Sequence, residues 1–173
     1  MLLRLTVVAA LMAVGMLMAP PRRPRPQTGV TGLNPFFFNE DRVVLAYKDG
    51  RRIKGRLLEF DPDRGRLWIA PWTDGRRPTV RAIRLHGLKA VFFVKDFTGD
   101  PRRNDRRDFL AGHGVGEKAL IQFEDGEVVA GYVHGTGTAR SGLDIMPADP
   151  QSNNLLIFAI QDAVTRVRPA EAN

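Results

Sequence analysis

From Val43 to Val167 the chain alternates between short apolar runs and clusters of Gly, Pro and Asp. Runs of this length, rich in Val, Ile, Leu and Phe and punctuated by turn residues, predict β-strands rather than helices. The pattern places strands over Val43–Ala46, Ile53–Phe60, Leu67–Ala70, Val80–Leu85 and Leu88–Val94. A second set falls over Ala119–Phe123, Val128–His134, Leu143–Met146, Leu155–Ile160 and Ala163–Val167. Many short strands joined by tight turns imply an all-β barrel or sandwich architecture.

The two sets repeat one theme. Val43-Val44-Leu45-Ala46-Tyr47-Lys48-Asp49-Gly50 overlays Ala119-Leu120-Ile121-Gln122-Phe123-Glu124-Asp125-Gly126 at an offset of 76 residues, and Gly55 and Gly131 follow at equal distance. An Asp-Gly pair between apolar runs predicts a tight hairpin, because Gly accepts positive φ freely and Asp tolerates it. Gly55, in mid-strand, predicts a bulge or a sharp bend. The expected organisation is residues 35–95 as one small barrel, 96–116 as an Arg/Gly-rich linker, 117–169 as a second barrel and 170–173 as a tail.

In the first set Gly50, Ile53, Gly55, Leu57, Phe60 and Asp61 resemble the first motif of the Sm-like barrel family. That resemblance implies an SH3-like/Sm-like small barrel. It does not extend to the Asn with which the family binds RNA, since Asp61 is followed by Pro62-Asp63-Arg64-Gly65. Residues 42–169 as a whole, including Leu88–Pro101 and Ile145–Asn154, resemble a bacterial family of uncharacterised two-barrel proteins. What that resemblance implies is architecture, with no activity attached.

Ahead of the barrels, Leu2–Ala19 is apolar apart from Arg4 and Thr6, and PRRPRP follows it. The A-x-A pattern of a cleaved signal is absent, and Arg22, Arg23 and Arg25 favour holding the downstream side in the cytoplasm. Residues 1–34 therefore read as an apolar helical anchor followed by a Pro/Arg-rich linker, with the barrels facing the cytoplasm. An over-extended start, giving a soluble cytoplasmic protein, and an exported form are the alternatives.

Charge changes the picture by its distribution. The formal total is +7, yet residues 42–95 hold fourteen Lys or Arg against five acids while residues 117–169 hold four against seven. The first half is cationic and the second acidic. On a strand over Ile53–Phe60 the side chains of Arg52, Lys54 and Arg56 share a face, and with Arg51 they make the first candidate polyanion surface. Arg103 and Arg107 make the second: their R-x-x-x-R spacing resembles the first half of the PilZ signature, which implies a cyclic dinucleotide ligand. The other half, D/N-x-S-x-x-G, has no counterpart in Thr138–Gly142, and Asp100, Asp105 and Asp108 interleave with the arginines.

Catalytic chemistry is not legible. There are no cysteines, and His86, His113 and His134 lack metal-ligand spacing. The Gly112, Gly114 and Gly116 run follows an Arg-rich stretch and precedes a strand, the wrong setting for a dinucleotide fingerprint, and reads as a flexible join. Ser141 and Ser152 have no His and acid partners at recognisable spacing. The expectation is a non-enzymatic binding or scaffold module without cofactor or metal, working through protein–protein interaction. The alternative is nucleic-acid or nucleotide binding through the cationic first barrel and the linker, and residues 2–19 offer membrane attachment.

Overall fold

The computed structural model describes residues 42–73, 79–100, 102–110, 112–134 and 141–170. The apolar segment and linker of residues 1–34 lie outside them. Among the described residues no helix is long and apolar enough to cross a membrane.

Among the described residues the fold is all-β, ten antiparallel strands in one sheet. These are β1 (Arg42–Tyr47), β2 (Arg52–Asp61), β3 (Arg66–Pro71), β4 (Arg81–Arg84), β5 (Leu88–Val94), β6 (Glu117–Phe123), β7 (Val128–Val133), β8 (Gly142–Pro147), β9 (Asn154–Ile160) and β10 (Val164–Pro169). A single 3-10 turn precedes β5 and another precedes β10. The strand order is β10-β6-β7-β8-β9-β5-β1-β2-β3-β4.

Residues 42–94 and 117–169 each form a five-stranded unit with the same internal pairing order, and the register recurs at the offset of 76 residues. Val43↔Gly55 and Gly55↔Pro71 in the first unit correspond to Ala119↔Gly131 and Gly131↔Pro147 in the second. Leu67↔Ile83 corresponds to Leu143↔Ala159. Both hairpins close alike, Gly50 N–H donating to the Tyr47 carbonyl at 3.1 Å and Gly126 N–H to that of Phe123 at 3.0 Å. The turn differs from the expected one in a detail. Gly50 and Gly126 have φ of 85° and 83°, but no described non-glycine residue has positive φ, so Asp49 and Asp125 stay in the ordinary region. Asp49 serves instead as an acceptor for the Arg51 N–H at 3.1 Å.

Gly55 and Gly131 owe their place to crowding. A Cβ on Gly55 would stand 2.6 Å from Ile69 Cδ1, and one on Gly131 would stand 2.4 Å from Ile145 Cγ2. The irregularity predicted at Gly55 lies two residues further on, between Leu57 and Glu59. It lets Leu57 and Phe60 both turn inward, 8% and 4% exposed.

The units are joined through β5 and β9, which pair Ala90↔Ala159, Val91↔Phe158, Phe92↔Ile157 and Phe93↔Leu156. Alternation along these two strands serves both sides. Val91, Phe93, Leu156 and Phe158 face the first unit, where Phe158 meets Phe60 edge-on at 4.9 Å. Ile157 lies on the opposite face, beside Ile145 of the second unit. The buried apolar residues of the two units consequently form one contiguous core. Charge reinforces the joint: Lys89 of β5, 5% exposed, donates to Asp125 at 2.5 Å and to Glu127, and its ammonium lies 4.7 Å from the Phe123 ring. Lys48 approaches Glu124 at 3.6 Å. The acidic half meets the basic half through Lys48 and Lys89.

Candidate binding cleft

Between the units, where β5 meets β9, lies an open cleft of about 860 Å³. Its floor is apolar, formed by Val44, Phe92, Val129 and Ile157. One wall is the outer face of β2, with Arg52 and Lys54, and the other is the segment between the units, with Arg103, Arg106 and Arg107.

That segment, expected as an Arg/Gly-rich linker, is strapped to the loop between β8 and β9. Lys95 N–H donates to the Asn153 carbonyl at 2.9 Å, and the Asn153 side-chain amide returns a bond to the Asp96 carbonyl at 3.0 Å. Asp96 then accepts the N–H groups of Thr98 and Gly99 at 2.8 and 2.7 Å, turning the chain across the cleft. The main anchor is Asp149, whose side chain is 1% exposed. It accepts from the Arg103 guanidinium at 2.5 Å, the Arg106 N–H at 3.1 Å and the Gln151 N–H at 2.9 Å. Burial alone would raise its carboxyl, but these donors outweigh that and hold it below the usual carboxylate range. The bond from Asp149 in turn raises the Arg103 guanidinium. Ser152 Oγ adds a bond to Asp105 at 2.5 Å.

At its far end the strap packs on β7. Tyr132 donates its hydroxyl proton to the Leu110 carbonyl at 3.2 Å and stacks edge-on with Phe109 at 5.4 Å. A Cβ on Gly114 would stand 2.4 Å from the Tyr132 ring, and one on Gly116 2.5 Å from the Val133 carbonyl. Both have positive φ, 85° and 117°. Gly114 and Gly116 are thus fitted against β7, where Gly is required because a side chain has nowhere to go, whereas a Cβ on Gly112 would meet no atom within 4 Å.

The six arginines and lysines singled out by the sequence divide accordingly. Arg52, Lys54, Arg103 and Arg107, drawn from segments about fifty residues apart, line one cleft. Arg51 stands apart on the hairpin turn, bonded to Asp49 at 2.7 Å and lying 4.7 Å from the Tyr47 ring. Arg56 lies further along β2, opposite Arg42 and outside the cleft lining. Within the cleft the cations are not equivalent. Arg103 is committed to Asp149 and Asp105, Lys54 donates to the Phe97 carbonyl at 2.5 Å, and Arg106 is paired with Asp108. That pairing raises Arg106 and lowers Asp108. Arg52 and Arg107 are exposed and have no ion-pair partner among the described residues.

Sequence reasoning missed Asp149 and Ser152, which position the strap from more than forty residues away. Their loop, residues 148–153, carries no local signal of that role beyond its polarity. Trp72, 67% exposed, leans on Phe97 at the cleft mouth with ring centroids 5.5 Å apart. Among the described residues no group of three or more His, Asp or Glu side chains is placed to hold a metal ion.

The arrangement can hold an extended or flat ligand by apolar contact on the floor and by charge at the rim. No curated protein and no solved structure matches the chain. A family model does match it over residues 39–169, and the chain belongs to that family, DUF6982, a family of unknown function.

Proposed function

We propose that the protein is a non-enzymatic protein-interaction module, built of two SH3-like/Sm-like small barrels fused through β5 and β9, that takes an acidic and apolar segment of its partner in the cleft between them. The observation that carries this reading is the pairing of an apolar floor with exposed, uncommitted Arg52 and Arg107 on opposite walls. Exposed Trp and Arg at a concave site are the residue types that dominate protein–protein binding energy. The rigid strap supports the same reading, because a wall already ordered costs little further entropy on binding. Residues 2–19 would attach the module to a membrane with both units on the cytoplasmic side.

The test is photo-crosslinking in cells, with a crosslinking residue placed at Arg107 and, as control, at the remote exposed Arg64. Discrete protein adducts at Arg107 only, lost when Arg52→Glu and Lys54→Glu are added, are the expected result. Adducts equal at both positions refute the proposal.

One observation favours a second reading, nucleotide or nucleic-acid binding: Trp72 offers an exposed stacking surface beside Lys54 and Phe97. Anisotropy titrations with RNA, single-stranded DNA and cyclic dinucleotide probes would then show affinity falling steeply with salt and abolished by the same charge reversals.

A further inference from the structure

The repeated register makes the two units comparable position by position, and the comparison reveals an open place in the second. In the first unit Val43, Leu57, Leu67, Val91 and Phe93 are all buried, at 0 to 8% exposure. They are buried because β9 pairs along β5 and sets Phe158 opposite Val91 and Leu156 opposite Phe93. The equivalent residues of the second unit are Ala119, Val133, Leu143, Val167 and Pro169, and these line a pocket of about 150 Å³. Val167, the counterpart of fully buried Val91, is 45% exposed. β10, the counterpart of β5, pairs with β6 alone among the described strands and ends the sheet.

We infer that β10 is a docking edge for an extended strand of a partner protein, one that alternates apolar and acidic residues. The apolar half of that pattern follows from the pocket: a strand lying on β10 as β9 lies on β5 would set one large apolar side chain opposite Val167, where Phe158 stands in the first unit. The acidic half follows from the other face. Arg166 and Arg168 flank Val167, are exposed, and have no ion-pair partner among the described residues. They replace Ala90 and Phe92 of β5, so residues opposite them meet two uncompensated guanidinium groups.

A second copy of this chain does not fit the description. Its edges are β4 and β10. In the register of β5 with β9 the β4 residue reaching Val167 would be Ala82, too small to fill the pocket, with Arg81 directly opposite Arg168. A second β10 laid antiparallel on β10 about Val167 would set Arg166 opposite Arg168. Like charges across a strand pair oppose pairing. The edge is therefore closed to self-addition and open to an acidic strand. This inference does not depend on the cleft, since neither the β10 residues nor those of the pocket beside them line it.

The test uses the full chain and a fluorescein-labelled octapeptide alternating Glu with Leu and Phe, read by anisotropy at fixed ionic strength. A peptide of the same composition with its acids in one block is the control for plain electrostatics. Saturable binding of the alternating peptide is expected, at least about tenfold tighter than the block peptide and about tenfold or more weakened by Arg166→Glu with Arg168→Glu. Val167→Glu should weaken it comparably by filling the pocket mouth with a charge, while Arg64→Glu, remote from both the edge and the cleft, leaves it unchanged. All of these positions are exposed, and unchanged circular dichroism and melting temperature confirm intact folding. Equal binding of both peptides, no binding, or a concentration-dependent self-association abolished by Arg166→Glu would each overturn the inference.

Discussion

Replacing Lys89 by Met should weaken the joint between the units while keeping the shape of the site, because Met matches the aliphatic stem of Lys without its charge. The Lys89 side chain is 7% exposed, whereas those of Asp125 and Glu127 are 49% and 48% exposed. Removing one partner of a fully buried pair costs about 3–5 kcal/mol, and an exposed pair contributes about 0–1 kcal/mol. With the cation buried and both acids half in water, the expected loss is about 2 kcal/mol. For a folded unit of this size each kcal/mol moves the midpoint by about 3–5 °C, so thermal unfolding followed by circular dichroism should fall by about 6–10 °C. The triple variant Lys89→Met, Asp125→Asn, Glu127→Gln should recover most of that, since the two carboxylates no longer repel each other beside an empty position. The bond from Lys89 holds Asp125 below its ordinary range. That contribution is accordingly present above the unfolded value near 3.8 and disappears as pH falls through the lowered folded value. A midpoint shift under about 2 °C for the single variant, or no recovery in the triple, refutes the reasoning.

Asp144 on β8 is pushed up to about 6 by burial, and its Oδ1 is buried without a hydrogen-bond partner. A raised carboxyl stabilises the fold fully below the unfolded value near 3.8 and costs stability as pH rises through 6, so Asp144→Asn should stabilise by about 1–2 kcal/mol at pH 8 and by nothing at pH 4, read by urea titration. Asp149→Ala should free the strap and speed tryptic cleavage among Arg102–Arg107 by about tenfold or more, with a small change in the global midpoint, because the loss is local to the anchor. Gly50→Ala meets no atom within 4 Å and should cost only the strain of its φ of 85°, about 1–2 kcal/mol. Gly131→Ala places its Cβ 2.4 Å from Ile145 Cγ2 and 2.6 Å from the Met146 carbonyl oxygen, and should cost about 2–3 kcal/mol or more by denaturant midpoint. Since the core is contiguous across β5 and β9, wild-type unfolding should be a single transition by fluorescence and circular dichroism; two separated transitions would contradict it.

Local structure was legible in the chain alone. Short apolar runs punctuated by Gly, Pro and Asp marked ten strands within a residue or two, because a strand buries apolar side chains over a few residues and must then turn. The Asp-Gly pairs marked both hairpins, because a chain reversal there needs a residue free to take positive φ, which Gly50 and Gly126 do. The common face of Arg52 and Lys54 followed from strand periodicity alone. Tertiary structure decided everything that depends on pairs distant in sequence. Nothing in Leu88–Val94 or Asn154–Ile160 states that these strands pair with each other; both are apolar on two faces, a pattern that requires cover on both sides without naming the cover. Only that pairing sets the cleft and brings Arg103 and Arg107 to Arg52 and Lys54. The strap was hidden for the same reason: Asp149 satisfies donors at Arg103 and Arg106, more than forty residues away, and a lone acid in a polar loop carries no mark of the partners that folding delivers to it. The open edge at β10 also belongs to the tertiary structure, because the sequences of β5 and β10 are both compatible with a paired strand, and their difference in cover is decided by β9 having joined the one and not the other.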